Sequence, residues 1–174
     1  MLSKKYIVSS VLLAGTMSLP LAADAAQPGF YFGAGLGQGS DVILDQTSAA
    51  AKLFGGFNVN RFLGMELSYV NLGSDYCCDA YGNTFTQDGV SYELVGYLPV
   101  TPYVDLFGKV GLFSWNVGSN YYYYASEQGT NNDYGFGISA QVSQRVWLRG
   151  EYQKFLDVAG GDVNMASVSL SYHF

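Results

Sequence analysis

The placement of charge within alternating runs limits this chain more than any other feature. Residues 166–174 show the pattern most clearly: Ala166, Val168, Leu170, Tyr172 and Phe174 fall on one face of an extended chain, and Ser167, Ser169, Ser171 and His173 on the other. Seven further runs alternate with the same period, starting near Phe30, Ala51, Leu63, Val90, Leu106, Tyr134 and Val146. Seven charges stand inside these runs, Lys52, Glu66, Glu93, Asp105, Lys109, Arg149 and Glu151, and all of them share the face rich in glycine and serine. A soluble sandwich would bury the apolar face and send these charges to water, which leaves an outer surface made largely of glycine and serine. A barrel in lipid inverts the arrangement, with the apolar face outward and the charges enclosed. The pattern therefore predicts an all-β fold, an eight-stranded antiparallel transmembrane up-and-down β-barrel. Inward glycines suit it, because eight strands leave room only for side chains.

Composition agrees. Of 174 residues 49% are hydrophobic, 16% aromatic and only 13% charged, against about 25% charged in an average soluble protein. A net charge of −6 excludes an electrostatically driven nucleic-acid binder. One histidine and two cysteines leave little material for a zinc site, so no metal or other cofactor is expected.

Residues 1–25 read as a cleaved secretory signal: Lys4 and Lys5 open it, an apolar run follows, and Ala23-Asp24-Ala25 supplies the small residues of a cleavage site. The barrel then occupies residues 26–174, beyond the inner membrane and in an oxidising compartment. The runs are joined alternately by long polar stretches (38–48, 73–89, 116–133 and, shorter, 155–163) and by tight joins (58–62, 99–102, 143–145). That alternation is the plan of an outer-membrane barrel with both termini on the periplasmic side and four loops outside.

The stretches AKLFGGFNVNRFLGMELSYVNLG, LFGKVGLFSW and VWLRGEYQKF, with the ending SVSLSYHF, resemble the OmpA-like transmembrane β-barrel family. The likeness runs from about Gly29 to Phe174 and covers the barrel alone, so it implies no peptidoglycan anchoring. It implies that Val168, Leu170, Tyr172 and Phe174 form the terminal signal read by the barrel-assembly machinery. Interior charges of both signs fit the family pattern. The adjacent cysteines and the four consecutive tyrosines do not.

Lys52, Glu66, Glu93, Lys109, Arg149 and Glu151 are the candidate interior network. They read either as a salt-bridged plug or as an ion path, and the need to pair buried charges favours the plug. Glu66 and Glu93 do not suggest catalysis, since a narrow tube has no room for a substrate. A Ser/His acyl-transfer site at the outer rim, as in the eight-stranded lipid A deacylases, is excluded by the place of the only histidine, His173, beside the C-terminus. No catalytic residue is expected.

Cys77-Cys78 falls in the second long stretch and is open to several readings: a strained vicinal disulfide, an intermolecular bridge, or a redox or metal contact. Asp75 and Asp79 beside it are too few for a calcium site. Tyr121, Tyr122, Tyr123 and Tyr124 suit an interfacial aromatic girdle or an adhesive surface. Nine acids, Asp41, Asp45, Asp75, Asp79, Asp88, Glu127, Asp133, Asp157 and Asp162, are assigned to the outer side, for solubility or for cation bridging to lipopolysaccharide phosphates. The expected role is structural and interactional, in contact with outer-membrane lipids and lipopolysaccharide, with the assembly machinery during biogenesis, and with an external ligand or host surface through the loops. A small pore through the interior is the alternative.

Overall fold

A computed structural model describes residues 28–41, 46–76, 84–119 and 127–174. The expected leader, Cys77, Cys78 and the tyrosines at 121–124 lie outside the described residues. The eight alternating runs form eight strands, β1 Gly29–Asp41, β2 Gln46–Asn60, β3 Leu63–Tyr76, β4 Thr84–Thr101, β5 Val104–Ser119, β6 Glu127–Gln141, β7 Val146–Val158 and β8 Gly161–His173. Each pairs antiparallel with the next, and β1 closes on β8 from Tyr31 opposite His173 to Asp41 opposite Val163. Closure leaves no unpaired edge, which a sheet in hydrocarbon cannot tolerate.

The faces divide as the alternation requires. Leu36, Leu53, Leu98, Val110, Phe136 and Val168 point outward and are exposed, while Lys52, Glu66, Glu93, Asp105, Lys109, Arg149 and Glu151 point inward and are buried. The glycine column of β1 makes space for this filling. A Cβ on Gly33 would lie 2.9 Å from Cε2 of Phe54, so only glycine lets that ring cross the interior against β1.

The outer connections are shorter than the sequence suggests. Strands of 13 to 18 residues exceed the roughly 9–11 needed to cross hydrocarbon. The polar stretches are mostly strand among the described residues, and 42–45, 77–83 and 120–126 lie outside those residues. The expected fourth loop, 155–163, is a hairpin whose turn is Ala159 and Gly160. Their φ angles of 50° and 86° are both positive, as a two-residue type I′ turn requires.

The reason lies in a reversal of polarity along the strands. On β3, Leu63, Met65, Leu67 and Tyr69 face out and Glu66 and Ser68 face in; beyond them Val70 and Leu72 are buried and Asn71 lies on the outward side. On β8 the switch falls between outward Ala166 and buried Met165, after which Asn164 faces out and Val163 in. Period two continues while the sides exchange roles. The outer third of the barrel is thus built like a water-soluble barrel, with Ala50, Val70, Leu72, Phe113, Trp115, Phe155, Val158, Val163 and Met165 as its core. Phe113 and Phe155 meet there with ring centroids 4.4 Å apart.

Candidate functional site: the barrel interior

Inward side chains stack in three layers. The apolar core caps the outer end. Below it lies the charge network, and below that an aromatic layer closes the periplasmic end.

The structure brings all six network residues together. Glu66 on β3 is the hub: Arg149 Nη1 lies 2.7 Å from Oε2, and Lys52 and Lys109 Nζ each lie 3.4 Å from Oε1. Lys109 also sits 3.0 Å from the Glu93 carboxylate and contacts Glu151, and Lys52 is 2.9 Å from Glu151. Arg149 reaches Glu151 at 3.7 Å. Every cation therefore touches at least two carboxylates. Such sharing matters because removing one partner from a buried pair costs about 3–5 kcal/mol.

Neutral groups complete the layer. Tyr31 Oη donates to Glu66 at 3.0 Å, and Ser68 Oγ donates to Glu93 at 3.3 Å. Gln153 Nε2 donates to Glu93 at 2.8 Å and to Asp133 at 2.7 Å, while its Oε1 accepts from Lys52 at 3.3 Å. Ser91 Oγ also donates to Asp133, at 3.0 Å. Asp133 is thus an interior residue, which corrects its assignment to the outer surface. It precedes Gly135 and Gly137 by even steps on the inward face of β6, but its neighbours Asn131 and Asn132 make the segment look like a loop. Gln153 was legible by the same count, two residues beyond Glu151.

The aromatic layer packs beneath. The Arg149 guanidinium carbon lies 4.8 Å from the Phe54 ring centroid and 4.5 Å from that of Phe107. The guanidinium is held by both rings as well as by its carboxylates. Tyr97 donates to the Tyr31 hydroxyl at 3.3 Å. His173 stacks on Tyr31 at 5.1 Å, lies 5.5 Å from Trp147, and has Ser171 Oγ 3.3 Å from Nε2. This Ser–His contact borders a cavity of about one water's size, far too small for an acyl substrate.

Val168, Leu170 and Phe174 point outward at the β1–β8 seam, with Tyr172 half-exposed beside them. Phe174 N donates to the carbonyl of Phe30 at 3.1 Å, and its ring meets Phe32 and Tyr172 at 5.7 and 5.4 Å. Tyr172 Oη accepts from Arg145 at 3.0 Å. Among the described residues no group of three or more His, Cys, Asp or Glu is arranged to hold a metal.

A closed eight-stranded barrel with an apolar belt outside and charges inside defines an outer-membrane β-barrel protein. The chain belongs to the outer membrane protein β-barrel domain family, whose model matches residues 9–174. It is 25% identical over 193 aligned residues to outer membrane protein A of Escherichia coli O157:H7, covering 99% of this chain and 55% of that protein. The chain thus spans about half the length of the curated relatives it matches. Among solved structures, Neisserial surface protein A superposes with a TM-score of 0.68 at 15% identity, covering 84% of this chain and 97% of the other. The attachment invasion locus protein Ail of Yersinia pestis gives 0.64 at 15% identity, over 86% and 100%. These two likenesses concern the fold. The chain is an outer-membrane protein.

Proposed function

We propose that the protein is a closed structural barrel of the envelope, with an interaction role carried by its outer end and no catalytic activity. The observation that supports this most is the filling of the interior: three cations and three carboxylates pair in one layer, between an apolar core and an aromatic floor. Ions entering such a tube meet six mutually paired charges, with Asp133 held by Gln153 and Ser91, and an apolar layer beyond them. The six charges act as a plug that holds the strands in register. Purified protein in planar bilayers tests this, with no steady conductance expected. Reproducible wild-type conductance whose ion selectivity changes in Lys109→Ala or Glu93→Ala overturns the plug and establishes the small pore.

For the outer surface, Ail has been solved in complex with the heparin analogue sucrose octasulfate. The connections 42–45, 77–83 and 120–126 of this chain contain no Lys, Arg or His, and they include Asp45 and Asp79. A sulfated polyanion is therefore a poor match, and the outer end suits an uncharged or cationic partner. Val168, Leu170, Tyr172 and Phe174 serve as the sequence read by the assembly machinery, and residues 1–25 as the leader removed on export. A gene deletion scored for detergent sensitivity and surface adhesion tests the envelope role. Unchanged values of both would reject it.

A further inference from the structure

Just above the apolar belt, β5 and β6 carry an outward strip of uncharged polar side chains. Ser114 stands opposite Thr130, Asn116 opposite Gln128 and Leu112 opposite Asn132, and Thr130 Oγ1 lies 3.3 Å from Ser114 Oγ. All five polar residues are exposed. The strip is backed by the outer apolar core: Phe113 and Trp115 are buried behind it, and Trp115 Nε1 donates to Asn131 at 2.9 Å. Toward the membrane it runs directly into exposed Leu112 and Tyr134, on the same faces of the same strands. From Asn132 to Gln128 it rises about 10 Å along the barrel axis, given ~3.3 Å per residue and a tilt near 40°.

We propose that this strip binds the uncharged sugars of the core oligosaccharide of neighbouring lipopolysaccharide. Two observations select that occupant. The strip continues from the lipid-facing surface and rises about 10 Å above it, so its lower end lies beside the phosphorylated headgroup of lipid A and its upper end reaches the first core sugars. Its chemistry is also that of sugar recognition. Amides and hydroxyls offer donors and acceptors to ring hydroxyls, and Tyr134 adds an apolar ring at the lower end. No Lys, Arg or His belongs to it, and Lys154, the basic residue beside Tyr134 on the next strand, is already 2.7 Å from Asp162. Direct phosphate binding is thus a poor match. The inference rests on the outer-membrane location and not on whether the interior conducts.

The test compares the protein in bilayer nanodiscs whose lipopolysaccharide carries the full core with nanodiscs whose lipopolysaccharide is truncated next to lipid A. A ligand that binds only the folded state raises the unfolding midpoint, here by about 3 °C or more in the core-bearing discs. A Ser114→Ala, Asn116→Ala, Thr130→Val, Asn132→Ala variant should lose that rise while still showing a heat-modifiable folded band in detergent. Should the combined variant fail to fold, Asn116→Ala and Asn132→Ala alone are each expected to lose part of the rise. Absence of the rise in the wild type overturns the proposal. So does a rise that survives in the variants, and one that survives there but vanishes with EDTA identifies cation-bridged phosphates as the real contact.

Discussion

Arg149 and Glu66, 83 residues apart in sequence, meet across the barrel at 2.7 Å and form the shortest contact at the hub of the interior network. The pair joins β7 to β3, strands that share no backbone ladder, so it ties opposite walls together. Removing Glu66 leaves the three buried cations Lys52, Lys109 and Arg149 sharing only Glu93 and Glu151. Glu66→Ala is expected to destabilise the barrel by about 3–5 kcal/mol. Urea unfolding in lipid vesicles checks this, and a loss under about 1 kcal/mol would mean that water reaches the hub.

Replacing both partners should cost less. In Glu66→Leu with Arg149→Met no unmatched charge remains from that pair, and a paired replacement is often neutral. A double-mutant cycle on the same unfolding assay should give a coupling energy above about 1 kcal/mol, the range for residues in one network. Simple additivity would count against direct coupling.

The outer apolar core makes its own contribution. Phe113 is fully buried against Phe155, and truncating a buried Phe costs about 3–5 kcal/mol. Phe113→Ala should lower the unfolding midpoint and shift Trp115 emission to the red as water enters. An unchanged emission would show that the cap remains dry without that ring.

Deleting Phe174 removes the backbone donor to Phe30 and two ring contacts at the closing seam. Heat-modifiable folded protein should fall in the outer membrane, with periplasmic degradation products accumulating. Normal folded yield would argue against a role for this residue in assembly.

Cys77→Ser with Cys78→Ser should fold as the wild type does, because closing two adjacent residues restricts the unfolded chain very little. Unfolding midpoints of the two forms under oxidising conditions, compared side by side, decide it. A clear loss in the double variant would assign the pair a structural or intermolecular bond.

The strand interiors were legible because lipid demands an unbroken apolar outward face. Leu63, Met65, Leu67 and Tyr69 declare it, and Glu66, between them, can only point inward. The outer ends were not legible for the same reason. Once the chain leaves hydrocarbon the demand reverses, and Asn71 outward with Val70 and Leu72 inward looks like the end of a strand. Asn164 between Val163 and Met165 misleads in the same way, so the 155–163 segment reads as a loop where the chain makes a hairpin. The partners of the network were legible only in part. Pairing had to involve the nearest charges, but Asp133 sits among polar neighbours and Gln153 carries no charge to draw notice.

The exchange of sides at Tyr69–Val70 and Met165–Ala166 also acts as a depth gauge. If the barrel sank by two residues, Asn71, Asn132 and Asn164 would enter hydrocarbon; if it rose by two, Leu67, Tyr134 and Val168 would approach water or enter it. Either displacement is opposed on β3, β6 and β8, so the molecule has little freedom to bob and must instead deform a membrane that does not fit it. Each ångström of mismatch costs a fraction of a kcal/mol. A barrel marked in this way fits one bilayer thickness best, and a bilayer thinner or thicker than that has to bend around it.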